Sequence, residues 1–150
     1  MRSGSIYLVV KDFDKSLDFY EKVLDRKVSA TNGKRFAMFH MKGLNLCLMN
    51  GYYDVQHPEQ LVTKGPRFPE YDNTDDIANA ENPKKVFINL GVDDLDEEFE
   101  RIKSLNIATN LTPIRYLNVF SPYWYFTFMD LDGNPIEITG GHENGSNELF

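Results

Sequence analysis

One stretch of this chain is written twice. Residues 5–20 read SIYLVVKDFDKSLDFY, and residues 87–102 read FINLGVDDLDEEFERI. A shift of 82 residues brings Val10 onto Val92, Asp12 onto Asp94, Phe13 onto Leu95, Leu17 onto Phe99 and Tyr20 onto Ile102. A second match closes each copy. Gly43–Gly51 (GLNLCLMNG) falls on Gly133–Gly141 (GNPIEITGG) at a shift of 90. Self-similarity of this kind marks two like units, each built from the same run of elements.

The local signals within each copy are physical. Phe13, Leu17, Tyr20 and Leu24 recur at the spacing of one helix face, and Leu95, Phe99 and Ile102 repeat it. Asp12 and Asp94 stand where a helix needs an N-cap oxygen, and Asp94-x-x-Glu97 resembles a capping box. Asp14, Asp96 and Glu97 favour the positive end of the helix dipole. Between helix and closing strand there is room for two more strands. In the first copy these are about Lys27–Asn32 and Arg35–Met41, turned by Asn32-Gly33. In the second they are about Ala108–Arg115 and Trp124–Met129, with Asp132-Gly133 making the last turn. The expectation is a single domain, 1–150, of two βαβββ modules at 3–50 and 85–140. A polar segment, 51–84, joins them and holds four of the seven prolines. Its length suits a lid or a short helix. The tail, 141–150, reads as flexible or peripheral.

Composition narrows the function. With 150 residues, 41% apolar and 26% charged, the chain is long enough to bury a core without disulfides or structural metal. No apolar run approaches the ~20 residues of a membrane helix, and the N-terminal apolar stretch is too short for a signal-peptide core. The single cysteine, Cys47, excludes an intrachain disulfide, and a cytoplasmic location is the default. A net charge of −7 and a pI near 4.9 argue against nucleic acid and permit cationic small ligands. No GxGxxG, P-loop, GxSxG or CxxC motif occurs.

Two motifs carry a family resemblance. They are Val10-Lys-Asp12-Phe-Asp14-x-Ser16-Leu-x-Phe19-Tyr20 and Asp130-Leu-Asp132-Gly133-Asn134-Pro135-Ile136-Glu137. With the duplication, they resemble the vicinal oxygen chelate superfamily of glyoxalases, extradiol dioxygenases, and fosfomycin- and bleomycin-resistance proteins. The resemblance implies an α+β fold of tandem βαβββ modules, whose curled mixed sheets form half-cups around a central cup. It also implies a homodimer, with modules either kept within a chain or swapped between chains. Metal-dependent members place one ligand on the first and one on the last strand of each module. Those positions here are Ser5, Cys47, Phe87 and Glu137. Only Glu137 is a good ligand for a hard divalent ion, and such a site needs about three or four protein ligands. No cofactor is therefore expected, and a divalent metal is the alternative.

Strand parity selects the lining of the implied cup. Val86, Ile88, Leu90 and Val92 should face the helix, leaving Phe87, Asn89 and Gly91 on the other side. By the same parity Ser5, Tyr7 and Val9, then Asn45, Cys47 and Met49, then Pro135, Glu137 and Thr139 face the cup. The candidate ligand-binding residues are Tyr7, Cys47, Phe87, Asn89, Trp124 and Glu137. The competing reading is that these positions simply fill a sheet interface. Glu137 is also the candidate catalytic group, as a ligand anchor, a general base or a relic of metal binding; otherwise it is a rim carboxylate satisfied by water or Arg115. Trp124 is taken from the run Tyr123–Phe126, only half of which can face the cup. Tyr52, Tyr53, Phe68 and Tyr71 either form a lid or anchor the linker. His40, His57 and His142 lack ligand spacing, and Cys47 reads as a small buried hydrophobe. Two functions follow. The first is metal-independent binding of a small organic ligand, of the resistance or sequestration type. The second is a lyase or dioxygenase with a non-standard site around Glu137, drawing further ligands from Asp130, His40 or the linker. A metal-free enzyme using Glu137 as base is a third. The partner expected is a small molecule, with no nucleic acid and no membrane.

Overall fold

The computed structural model describes residues 4–61, 64–66, 68, 72–118 and 122–142. Contacts divide the chain into two compact units, Met1–Glu81 and Asn82–Phe150. The first runs β1 (Ser5–Val10), α1 (Phe13–Val23), β2 (Ala30–Asn32), β3 (Phe36–Met41) and β4 (Leu44–Asn50), followed by the short helices α2 (Tyr53–Gln56) and α3 (Thr74–Asn79) with a 3-10 turn, Pro58–Gln60, between them. The second runs β5 (Ile88–Asp94), α4 (Leu95–Leu105), β6 (Arg115–Asn118), β7 (Pro122–Met129) and β8 (Pro135–Gly141). Each unit is thus βαβββ, and the fold class read from the sequence holds. Each carries an open four-stranded mixed sheet, ordered β1-β4-β3-β2 and β5-β8-β7-β6. The first and last strands of each copy lie side by side and parallel.

The two helices begin in the same way. The Lys15 amide donates to Asp12 Oδ1 (3.1 Å), and the Glu97 amide donates to Asp94 Oδ1 (2.9 Å). Each aspartate thereby satisfies one of the orphan donors at a helix N-terminus. Both helices also end beside a short polar residue in the left-handed region, Asp25 (φ 47°) and Asn106 (φ 52°). The buried stripe of α1 is Phe13, Ser16, Phe19, Tyr20 and Val23, so Phe19 and Val23 join a face expected to centre on Leu17 and Leu24. In the first unit these side chains meet Val10, Phe39, Leu46 and Leu48; in the second, Leu95 and Ile102 meet Ile88, Phe126, Phe128, Ile136 and Ile138, all buried. Phe99 closes that core edge-on against Phe126, with ring centroids 5.2 Å apart.

Three expectations need correction. The Asn32-Gly33 hairpin is real, but β2 is only three residues long, and the loop holds Gly33, Lys34 and Arg35, with Gly33 at φ 50°. Of the expected strand 108–115, only Arg115 lies in one. Asn110 adopts φ 54° and Pro113 has no N–H, so only the Thr109–Met129 bridge and the Thr112–Thr127 hydrogen bonds tie this segment to β7. The strand that pairs with β7 is instead β6, beginning at Arg115. Val86 lies outside β5 and is 71% exposed, so it is not a helix-facing residue.

The 51–84 segment carries helices, and much of it is docked on the first unit. The Thr74 hydroxyl donates to Gly51 O (2.9 Å), the Tyr52 hydroxyl to Asn79 Oδ1 (2.7 Å) and the Tyr53 hydroxyl to Gln60 Oε1 (2.7 Å). Gly51 makes this docking possible: a Cβ there would stand 2.4 Å from the Cβ of buried Ala78. Tyr53 meets the first sheet through Arg35, whose guanidinium lies 5.0 Å from its ring and pairs with Asp54 (2.7 Å), while the Tyr52 hydroxyl is bonded within the segment. Phe68 is 57% exposed, and Tyr71 and tail residues 143–150 lie outside the described residues. No helix among the described residues is long and apolar enough to cross a membrane.

Candidate functional site

The repeat makes the two sheets directly comparable, and they differ in one cross-strand row. In the first unit, β3, β4 and β1 bring Met38, Cys47 and Tyr7 into one row. The corresponding row of the second unit is Thr127, Glu137 and Asn89, across β7, β8 and β5. Residues opposite one another across a sheet share a face. One copy therefore carries an apolar row, and its duplicate a polar one. Tyr7 is 56% exposed, with its ring 5.8 Å from Phe36, whereas Cys47 beside it is fully buried.

In the polar row, Glu137 is held in place. Asn89 Nδ2 donates to Glu137 Oε1 (2.7 Å), and the Tyr123 hydroxyl donates to the same oxygen (2.8 Å). Asn89 Nδ2 also donates to Tyr123 Oη (2.9 Å), so the three side chains close a triangle. Burial pushes the Tyr123 phenol above the ordinary tyrosine range, and the adjacent Glu137 carboxylate adds to this, against opposing hydrogen bonds from Thr139 and Asn89. A carboxylate favours a protonated phenol that donates to it, so Tyr123 stays a donor at neutral pH. Tyr125 lies on the same face, its ring 5.8 Å from that of Tyr123. Arg115, opposite Tyr125, is exposed, and among the described residues it makes no ion pair with Glu137.

Of the residues singled out from the sequence, the structure pairs Tyr7 with Cys47 in the first unit and Asn89 with Glu137 in the second, and only the second pair is hydrogen-bonded through its side chains. Tyr7 and Cys47 belong to the first unit, and Phe87 precedes β5 and is half-exposed. Trp124 is a correction. Its register puts it on the face of Phe126 and Phe128, the side packed under α4, away from Glu137. There its ring lies 4.9 Å from Tyr116 and 4.5 Å from His142, whose Nδ1 is 2.9 Å from Asp96 Oδ2. Tyr123 was missed. The signal was present, because buried Phe126 and Phe128 fix the even positions of β7 toward the helix and leave Tyr123 and Tyr125 for the other face.

The donor set does not fit a divalent ion. Of the four positions implied by the resemblance, Phe87 has no donor, Cys47 is buried and Ser5 is a weak ligand, while one oxygen of Glu137 already accepts two hydrogen bonds. The residues considered as substitutes are otherwise engaged. Asp130 is buried and caps its own turn, accepting from the amides of Asp132 and Asn134 and from Asn134 Nδ2; His40 Nδ1 pairs with Asn45 Oδ1 (3.0 Å). Among the described residues no three His, Cys, Asp or Glu side chains gather as a metal site would require.

Comparison with known proteins places this architecture. The family model of the Glyoxalase/Bleomycin resistance protein/Dioxygenase superfamily matches residues 2–138, and the chain belongs to that superfamily. Among solved structures, a glyoxalase/bleomycin resistance protein/dioxygenase from Nocardioides is similar at 21% identity and a TM-score of 0.64, covering 100% of this chain and 91% of that one. A lactoylglutathione lyase from Agrobacterium tumefaciens is similar at 17% identity and a TM-score of 0.59, over 95% and 92% of the two chains. A mutant fosfomycin resistance protein from Listeria monocytogenes, in complex with Mn(II) and 1S,2S-dihydroxypropylphosphonic acid, shares 23% identity at a TM-score of 0.59, over 93% and 90%. At these identities the likeness is one of fold. A search of curated proteins finds no match.

Proposed function

We propose that this chain binds a small organic molecule without a metal, on the Glu137 face of its second sheet, as a resistance or sequestration protein. The observation that carries this reading is the fixed carboxylate. Asn89 and Tyr123 hold Glu137 by one oxygen on an accessible strand face, beside a pair of tyrosine rings. A preorganised polar anchor with aromatic walls is the usual make-up of a small-molecule site. The replacement of metal-ligand chemistry at Ser5, Cys47 and Phe87 supports the metal-free form of the reading. The protein acts as a homodimer in this proposal.

The rival is a lyase or dioxygenase with a divalent metal at Glu137. It draws on the printed descriptions of two structural neighbours, a lyase and a manganese complex. Ligand screening of the purified protein by calorimetry, repeated on Glu137→Gln, separates the readings. Binding without turnover, weakened in the variant, supports the proposal. Turnover that requires an added divalent ion and disappears in the variant overturns it.

A further inference from the structure

The hydrogen-bond inventory of the Glu137 cluster restricts what it can hold. Asn89 has two amide N–H groups, one directed at Glu137 Oε1 and the other at Tyr123 Oη. The hydroxyl proton of Tyr123 goes to Glu137 Oε1. Every donor of the triangle is therefore spent inside it. Reversing the Asn89 amide would set its oxygen 2.7 Å from a carboxylate oxygen, two acceptors with no proton between them, so the hydrogen-bond network selects the amide orientation. Two acceptors remain for a visitor, Glu137 Oε2 and Asn89 Oδ1. Among the described residues none donates to either. They sit on parallel neighbouring strands, in register, about 4.8 Å apart at the backbone.

We infer that the ligand of this face is a planar cation with paired N–H donors, an amidinium or guanidinium carried on an aromatic or otherwise flat body. The inference rests on the reading that this face is the binding site, and deepens it. A forked cation can give one N–H to Glu137 Oε2 and a second to Asn89 Oδ1, the kind of two-point recognition that a point-charge ammonium performs less well. The flat body lies by the Tyr123 and Tyr125 rings, which attract a cation through their faces. A carboxylate, phosphonate or enediolate would meet only acceptors and a negative charge at the triangle. Among the described strand residues of the second sheet, Arg115 shares this face but stands two strands from Glu137, on the sheet edge. The net charge of −7 acts in the same direction at longer range.

The test uses three probes of one shape: benzamidinium, neutral benzamide and benzoate. Each is titrated into the isotope-labelled full chain, with binding read by calorimetry and the site located by amide and side-chain shifts. The expected result is benzamidinium binding that shifts Asn89 and Tyr123, and affinity about tenfold or more lower for benzamide, as loss of a charge-assisted hydrogen bond requires. No benzoate binding is expected at that face. Glu137→Gln and, separately, Asn89→Ser should each weaken benzamidinium; the second variant, at an exposed position, serves if the first loses its native spectrum. Benzoate binding at the Asn89 and Tyr123 signals, or benzamidinium binding there that neither substitution weakens, overturns the ligand class while leaving the face as a binding site. If none of the three probes shifts those signals, the binding face itself is wrong, and the inference falls with it.

Discussion

Asn89→Asp changes one NH2 group to an oxygen and leaves the shape of the side chain intact. In the native cluster Asn89 Nδ2 lies 2.7 Å from Glu137 Oε1 and 2.9 Å from Tyr123 Oη. In the variant, one native charge-assisted hydrogen bond becomes a contact between two carboxylates. Such a bond contributes about 1.5–3 kcal/mol when well shielded, and Glu137 is only half-buried, so about 1–2 kcal/mol is the reasonable loss. Two unit charges near 4 Å repel by about 1 kcal/mol in water and about 4 at an effective dielectric of 20. The exposure of residue 89 favours the lower end. The sum is a destabilisation of about 2–4 kcal/mol at neutral pH. Its pH dependence follows from linkage. The paired carboxyls take up a proton more readily folded than unfolded, so their joint folded-state titration is raised. The variant therefore regains stability as pH falls and loses it as pH rises through that value. Urea unfolding of both proteins at neutral and mildly acidic pH measures this. With a slope of about 2 kcal/mol/M the midpoint falls by about 1–2 M at neutral pH, and much of that gap closes in acid. A difference below about 0.5 kcal/mol, or one that does not vary with pH, would refute the Asn89–Glu137 contact and with it the inventory of free acceptors.

Other consequences follow from the same geometry. Because the Tyr123 phenol is held above its ordinary range, its contribution to stability is complete below the unfolded value of about 10 and is lost as pH rises through the folded one; an alkaline titration of tyrosinate absorbance should lose its late component in Tyr123→Phe. Asp12→Ala should cost about 1 kcal/mol by chemical denaturation. The Lys15 amide, and then the Lys15 ammonium, lower the Asp12 carboxyl, so the difference between the two proteins should shrink as pH falls through its folded value. Of the two described Asn-Gly pairs, Asn32-Gly33 should deamidate on ageing far faster than Asn50-Gly51, because attack by the glycine nitrogen on the Asn Cγ, with loss of ammonia, is open in the exposed hairpin loop. At Asn50 the side chain is bonded at both ends, to Lys34 O and the Tyr52 amide, and the Gly51 N–H is bonded to Val10 O. Peptide mapping by mass spectrometry reads this, and equal rates would contradict it.

Much of the fold was legible because the chain states it twice. The caps at Asp12 and Asp94, the apolar stripes of the helices and the Asp132-Gly133 turn, with Gly133 at φ 80°, are local signals, and local signals survive folding. What was not legible depends on pairing. The segment 108–115 carries strand-like residues, but the left-handed Asn110 and the imino nitrogen of Pro113 interrupt its ladder. The candidate site was half-readable. Parity gave Asn89 and Glu137 a common face, while Trp124 falls on the face of buried Phe126 and Phe128, and the same period of two assigns Tyr123 and Tyr125 to the Glu137 side. The Glu137–Asn89–Tyr123 triangle itself needs a register between β5, β7 and β8 that no single strand encodes.

Metal content of protein purified without chelators, by elemental analysis with molar mass on the same sample, tests the central claim most directly. The metal-free reading predicts Zn, Ni, Fe and Mn far below one per chain and no stoichiometric uptake when they are added. About one equivalent per chain, lost in Glu137→Gln, would contradict it and place this chain with the metal-dependent members of its superfamily.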